Sequence, residues 1–491
     1  MFLKPDNILL IGSMLLLISV IAGKTLRRLG VPTLIFFLLI GIAAGSEGIG
    51  GIHFDNPALA QLIGIVALNF ILFSGGLDTH WESIRPVLGR GISLSTVGVL
   101  FTAGSVGAFL HYGFDFTWAE GLLLGSVVSA TDAAAVFSIL RGRGIGLKGS
   151  LRPVLELESG SNDPMVYFLT ITLTAIVAGN DSSFGQLLLS FAREFVLGGL
   201  LGWMMGRISV WLINNIGLET NGLYPVLTLA LALFTYSFTH LLGGNGFLAI
   251  YLCAVIMGNS PMVRRRSVSR FYDGQAWLMQ IILFLTLGLQ VFPSRILPLV
   301  GTGLIISAFL IFVARPLGVF AALSFSKTNT RSKLFLSWVG LRGSVPIVFA
   351  TYPLLAGIQK AELIFNLVFF ISVTSVLLQG TTLPFVARLL RVAVRKPTDP
   401  TRVQDFEHHD NIKTEMRELL LPEGAPAAGK RIVELNVPAA LNILTVKRNG
   451  LYIAPNGSTR LLANDVLHLL AEDDRAIARF AETLTGAAPK A

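Results

Sequence analysis

The sequence predicts an α-helical polytopic membrane protein of about 13 transmembrane helices, with inverted repeats and two broken crossing helices, followed by a small cytoplasmic α/β domain. Composition is the first reason. Of 491 residues, 53% are hydrophobic and only 14% are charged, and the mean hydropathy is +0.69; soluble domains carry roughly 25% charged residues. The second reason is the spacing of apolar segments long enough to span a bilayer. They lie near 7–23, 29–45, 58–77, 89–113, 118–140, 153–179, 184–213, 224–243, 245–259, 275–293, 296–323, 332–357 and 361–390. The first, preceded only by Lys4 and followed by no small-x-small cleavage pattern, reads as a span and not as a signal peptide.

The third reason is the alternation of basic residues between loops. Lys24, Arg27 and Arg28 follow span one, Arg85 and Arg90 follow span three, and Arg141, Arg143, Lys148 and Arg152 follow span five. Arg264, Arg265, Arg266 and Arg270 follow span nine, Lys327, Arg331 and Lys333 follow span eleven, and Arg388, Arg391, Arg395 and Lys396 follow span thirteen. Only Arg295 and Lys360 fall on the opposite side. The positive-inside rule then puts the N-terminus outside and the C-terminus in the cytoplasm of a cell whose inner (plasma) membrane holds the chain.

Membrane topology also accounts for the formal charge of +9. The basic residues are scattered over short loops and build no basic domain with stacking aromatics, so nucleic acid is not an expected partner. The lone Cys253 excludes a disulfide framework, and the seven histidines form no metal pair with a carboxylate. Residues 1–395 therefore form the membrane domain and 396–414 a polar linker. Residues 415–485 form a small α/β unit, with strands near Asn442–Lys447 and Asp465–Leu470, turns at Asn449-Gly450 and Asn456-Gly457, and a helix over Asp473–Leu484. At roughly 70 residues that unit is small for an independent core and is expected to dimerise or dock.

Ionisable residues inside spans are costly and mark function. Span six carries Glu158-Ser-Gly-Ser-Asn162-Asp163-Pro164, with Glu158 and Asn162 sharing one helical face and Ser159 and Asp163 another. Pro164 cannot donate a backbone hydrogen bond, so a bend is expected beside the acid. Span five carries Ser129-Ala-Thr131-Asp132-Ala. A helix cap is the plainer reading of Asp132, and its mid-span depth favours an ion site. Span twelve carries Gly340-Leu-Arg342-Gly-Ser-Val-Pro346; an intramembrane arginine stays charged and needs an anion. Pairing Arg342 with Glu158 leaves Asp163 free. Spans five and twelve are seven apart, which makes them counterparts in an inverted repeat of broken helices, the place where transporters bind substrate. Asp78, near Ser74, reads as a solvated carboxylate at the cytoplasmic end of span three.

Ser129-Ala-Thr-Asp-Ala-Ala-Ala-Val-Phe137, Glu158-Ser-Gly-Ser-Asn-Asp-Pro164 and Gly340-Leu-Arg-Gly-Ser-Val345 resemble the NhaP-type monovalent cation/proton antiporters. The Thr-Asp-Ala-Ala-Ala-Val-Phe form is similar to the potassium/proton (cell-volume regulation) branch, since sodium/proton relatives usually have proline where Ala133 stands. Residues 415–485, especially Gly429-Lys430 to Leu435 and Asn464-Asp-Val-Leu467, resemble a TrkA-C (RCK C-terminal) domain. The resemblance implies that Asp163 is the cation- and proton-exchanging acid, with Asn162 beside it and Thr131, Asp132 and Ser159 helping to form the site. The monovalent cation would be held by Asp163, Thr131 and Ser159, and Glu158 with Arg342 would be a structural ion pair. It also implies a homodimer, and a nucleotide as candidate ligand of the C-terminal unit. Sodium-type relatives often carry an acid where Ser74 stands, so no ligand from span three is expected.

The activity so implied is antiport, K+ or Na+ against H+, without a cofactor. One carboxylate holds either a proton or a cation, so competition for Asp163 is the coupling, and an Asn-Asp pair implies electroneutral one-for-one exchange. Desolvation works against a bare carboxylate charge, which lets a proton compete with a cation near neutral pH. The alternative is a ligand-gated monovalent cation channel, since TrkA-C-like units also regulate channels. No Thr-Val-Gly-Tyr-Gly-like filter occurs. An intramembrane enzyme lacks a Ser/His or two-acid arrangement.

Overall fold

The computed structural model describes residues 5–26, 33–180, 183–395, 415–422, 424–438, 441–448, 451–471, 480–481 and 484. Contacts divide the chain into two compact units, Met1–Lys396 and Pro397–Ala491. The expected linker 396–414, the turn at Asn449-Gly450 and all but residues 480, 481 and 484 of the expected C-terminal helix lie outside the described residues.

The first unit is helical. Its helices are α1 (Pro5–Leu26), α2 (Thr33–Ala44), α3 (Pro57–Asp78), α4 (Trp81–Gly113), α5 (Trp118–Val127), α6 (Ala133–Gly142), α7 (Leu151–Val177) and α8 (Phe184–Asn215). There follow α9 (Leu223–Leu241), α10 (Gly246–Gly258), α11 (Arg265–Leu289), α12 (Pro293–Ala322), α13 (Thr330–Trp338), α14 (Val345–Leu355) and α15 (Ala361–Leu389). Capping residues set several of the starts. Asn56, Thr117, Ser183, Asn245 and Asn329 each accept a backbone N–H of the first turn through the side chain, satisfying a donor that the helix leaves open.

Packing sorts these helices into two bundles. Helices α4–α7 and α12–α15 pack on one another, and α2, α3 and α8–α11 form the second group; α3 and α10 touch α7, and α3 also touches α14. In the second bundle α2 and α11 approach backbone to backbone. A Cβ on Gly41 would meet the Leu285 carbonyl oxygen at 2.5 Å, so only glycine fits there. Helix α8 leaves Leu188, Leu189, Val196, Leu200, Trp203 and Trp211 exposed, the apolar face a bilayer would cover.

Short strands β1 (Ile145–Leu147) and β2 (Ala393–Arg395) pair antiparallel, Ile145 opposite Arg395 and Leu147 opposite Ala393. They join the connection between α6 and α7 to the chain leaving α15.

The second unit contains an antiparallel sheet of β3 (Glu415–Leu420), β4 (Leu441–Arg448), β5 (Leu451–Ile453) and β6 (Val466–Ala471), in the order β3-β6-β4-β5. Two of these strands are the expected ones near 442–447 and 465–470, and β3 adds a further strand paired with β6. Leu421, Leu441, Val446, Leu461, Leu467 and Leu469 are buried in its core. Asp465 accepts two hydrogen bonds from Arg448, at 2.9 and 2.8 Å, and one from the Leu462 N–H at 2.8 Å. Burial raises the Asp465 carboxyl, but the Arg448 guanidinium and the Leu462 amide outweigh it and hold it below the usual carboxylate range.

Candidate functional site: two crossed helix breaks facing α7

The stretches between α5 and α6 and between α13 and α14 are not helical, and they cross deep inside the first bundle. The Asp132 N–H donates to the Leu341 carbonyl at 2.8 Å, tying one break to the other. Each break exposes the end of one half-helix and the beginning of the next, which concentrates unpaired carbonyls and N–H groups.

Side chains from both breaks answer those ends. Asp132 caps α6, its Oδ1 accepting the Ala135 N–H at 3.0 Å, so the plainer reading of this acid as a helix cap is what the geometry contains. Its Oδ2 lies where a Cβ on residue 343 would stand, which is why glycine occupies that position. Arg342 is fully buried. Its Nε donates to the Val128 carbonyl at 3.1 Å and its Nη1 to the Gly340 carbonyl, so one cation serves the C-terminal ends of α5 and α13. Helix α15 braces the same stretch. Ser375 Oγ accepts the Arg342 N–H at 3.0 Å and donates to Gln379, whose Nε2 donates to the Trp338 carbonyl at 2.7 Å.

Helix α7 supplies the third wall. It continues as helix through Pro164, and the breaks occur in the neighbouring helices. Asn245, at the start of α10, donates from Nδ2 to the Pro164 carbonyl at 3.0 Å. Asn162 Nδ2 donates to Thr131 Oγ1 at 2.8 Å. Ser159 Oγ donates to the Thr131 carbonyl at 3.0 Å and accepts the Ala133 N–H at 3.2 Å. Thr131, Asp132, Ser159 and Asn162 thus meet at one place. Asp163 is 4% exposed and lies within electrostatic range of Asp132. Its Oδ1 has no hydrogen-bond partner among the described residues.

The expected pair of Glu158 with Arg342 is corrected. The ion pair of Glu158 is made by Arg315 of α12, through Oε1 and Nη2, with both side chains only 2% exposed. Arg315 also approaches the Leu336 carbonyl at 3.5 Å. The reason is local: the Arg342 guanidinium is held by the Val128 and Gly340 carbonyls at the two helix ends, which leaves the Glu158 carboxylate to Arg315. Sequence reasoning passed over Arg315 because it stands inside the apolar run 296–323. The rule that singled out Arg342, that a buried arginine requires an anion, would have found it. Asp78 ends α3 and is exposed.

Comparison with known proteins decides the class. Residues 13–389 match the model of the sodium/hydrogen exchanger, transmembrane, family. The chain belongs to the sodium/hydrogen exchanger family. It is a transmembrane antiporter and carries a TrkA-C domain over residues 416–485. Among relatives, the K(+)/H(+) antiporter NhaP2 of Shewanella baltica (strain OS223) is 40% identical over 471 residues, 95% of this chain and 81% of that protein. The K(+)/H(+) antiporter NhaP of Alkalimonas amylolytica is 40% identical over 445 residues, 90% and 77% of the two chains. The solved structure of the sodium proton antiporter MjNhaP1 from Methanocaldococcus jannaschii has the same fold. It superposes with a TM-score of 0.65 at 22% identity, covering 75% of this chain and 97% of that one. This exchanger is therefore a helical membrane antiporter, and neither a channel nor an enzyme.

Proposed function

We propose that this exchanger carries potassium ions against protons, one for one, at a single carboxylate, Asp163. The observation that carries the proposal is the unpartnered Oδ1 of this buried acid beside two crossed helix breaks. Glu158, the other buried acid of α7, already has a cation in Arg315. A bare carboxylate in that setting needs a proton or a metal cation. Thr131, Ser159 and Asn162 bring neutral oxygens and Asp132 a second carboxylate, so the cation ligands would be Asp163, Thr131 and Ser159. Asn162 and Asp132 would shape the site. A proton and a cation cannot share the Asp163 oxygen, and that competition is the coupling. Potassium as the cation is favoured by the names of the similar antiporters and by the Thr131-Asp-Ala-Ala-Ala-Val-Phe137 form.

The same reading extends to topology. Counting α5–α6 and α13–α14 as one crossing each gives thirteen crossings, with the N-terminus outside and the C-terminus cytoplasmic. Helices α4 and α12 then become counterparts in inverted repeats. Both carry a proline-containing 3-10 turn near the start, Arg85–Val87 and Leu297–Leu299, and a π turn further on, Leu94–Gly98 and Leu310–Ala314. Alternating access moves the bundle of α4–α7 and α12–α15 against the other, which also forms a homodimer contact. Residues 415–485 regulate transport, with a nucleotide as candidate ligand. A cavity of about 280 Å3 in that unit, lined by Lys430, Glu434, Asn436 and Phe480, is the place to seek it.

The test is proton flux in proteoliposomes against gradients of K+, Na+, Rb+ and Li+. The expected result is K+-driven proton movement that is indifferent to an imposed membrane potential and absent from a folded Asp163→Asn variant. Cation-driven proton flux by that variant at a substantial fraction of the unmodified rate would refute the single-carboxylate mechanism.

A further inference from the structure

A second cavity, of about 260 Å3, opens at the end of the membrane unit where β1 and β2 lie, and it is separate from the ion site. Its lining contains three cationic side chains, Arg90 of α4, Lys148 of the segment entering α7, and Lys327 of the segment between α12 and α13, and no acid. None of the three has an ion pair among the described residues. Arg90 is half-buried, while Lys148 and Lys327 reach the cavity from exposed positions. Basic loop residues that only obey the positive-inside rule point into open water, each solvated separately. Here three chain segments distant in sequence place basic residues around one cavity.

The remaining lining supplies hydrogen-bond donors without charge. Ser150, Thr328 and Ser332 carry hydroxyls. Ser150 begins α7 without a side-chain capping bond. The volume is just below the roughly 300–1,000 Å3 of pockets for drug-sized ligands. Three cations, several hydroxyls, no acid and a small volume together describe a receptor for a compact multivalent oxyanion.

We propose that this cavity is a phosphate-binding site, taking a phosphoryl group either as a free anion or as the head group of an anionic lipid. A phosphoryl group there joins Arg90, Lys148 and Lys327, and so links α4, the start of α7 and the entry to α13. The proposal concerns binding only and does not depend on which cation is exchanged.

Two measurements on the purified full chain test it. In detergent, the thermal midpoint is followed against inorganic phosphate at constant ionic strength, with chloride as the reference salt. In the second arm, native mass spectrometry counts retained phosphatidic acid against phosphatidylcholine. A saturable upward shift with phosphate, lost in the Arg90→Gln/Lys148→Gln/Lys327→Gln variant, supports a free anion. Selective retention of phosphatidic acid, lost in the same variant, supports a lipid head group. If the triple variant fails to fold, Lys148→Gln and Lys327→Gln singly are expected to raise the half-saturating concentration at least several-fold. Shifts no larger than those of chloride together with no lipid preference, or binding unchanged in the variants, overturn the proposal.

Discussion

Replacing Arg315 by methionine isolates what the pair with Glu158 contributes. Both side chains are 2% exposed, so Arg315→Met leaves a buried carboxylate without its cation. Breaking a buried pair by removing one partner costs about 3–5 kcal/mol, whereas replacing both by apolar groups of similar volume is often close to neutral. The single variants Arg315→Met and Glu158→Leu are thus each expected to be strongly destabilised, and the double variant to recover most of the loss. That amounts to a coupling of roughly 3 kcal/mol. Arg342→Met should behave differently. It forfeits hydrogen bonds to the Val128 and Gly340 carbonyls, about 1.5–3 kcal/mol each for a charged donor. Adding Glu158→Leu returns none of that, because those carbonyls still have no donor. The assay is equilibrium unfolding of the purified chain in mixed micelles, followed by tryptophan fluorescence. Additive losses for Glu158 and Arg315, or a larger coupling of Glu158 to Arg342 than to Arg315, would refute the assignment.

Two further substitutions probe the crossing and the C-terminal unit. Gly343→Ala drives a methyl group into the Asp132 carboxylate, so a loss of about 1–3 kcal/mol is expected, with exchange falling further than stability does. Flux in proteoliposomes at unmodified rates would contradict this. Asp465 is held below its ordinary range by Arg448 and the Leu462 amide, so it contributes stability above the unfolded value of about 3.9, lost as pH falls through the lower folded value. Asp465→Asn is therefore expected to weaken hydrogen-exchange protection of the Leu462 amide in the full chain at neutral pH, and to flatten its loss in acid. Equal acid sensitivity in both proteins would count against this.

How much of this could be read beforehand depends on how local the signal was. The two helix breaks were legible because Thr131-Asp132 and Gly340-Leu-Arg342-Gly343 place polar residues and glycines in otherwise apolar runs. The burial of Asp163 was legible because the polar stretch Glu158-Ser-Gly-Ser-Asn-Asp-Pro164 stands inside an otherwise apolar segment. The partner of Glu158 was not, since sequence distance carries no information on which of two arginines reaches it. That choice was made by the carbonyls of Val128 and Gly340, which exist as free acceptors only once both helices have broken. At Pro164 the helix assignment continues. One missing N–H does not end a long helix there, and Asn245 holds the Pro164 carbonyl from across the bundle boundary. Strand β3 carries too short an alternation, Glu415-Met-Arg-Glu-Leu-Leu420, to announce itself without its partner β6.

The small ribbon of β1 and β2 changes where the membrane unit ends. Helix α15 stops at Leu389, yet Ala393–Arg395 is stitched to Ile145–Leu147, and the Lys148 N–H donates to the Val392 carbonyl at 2.9 Å. Six residues past the last helix are therefore structural members of the transport machinery, anchored midway between the half-helix that begins after Asp132 and the helix that carries Asp163. A truncation made at the end of α15 would amputate a strand along with the TrkA-C domain, and the resulting defect would be misassigned to loss of that domain. A cut beyond residue 396 separates the two.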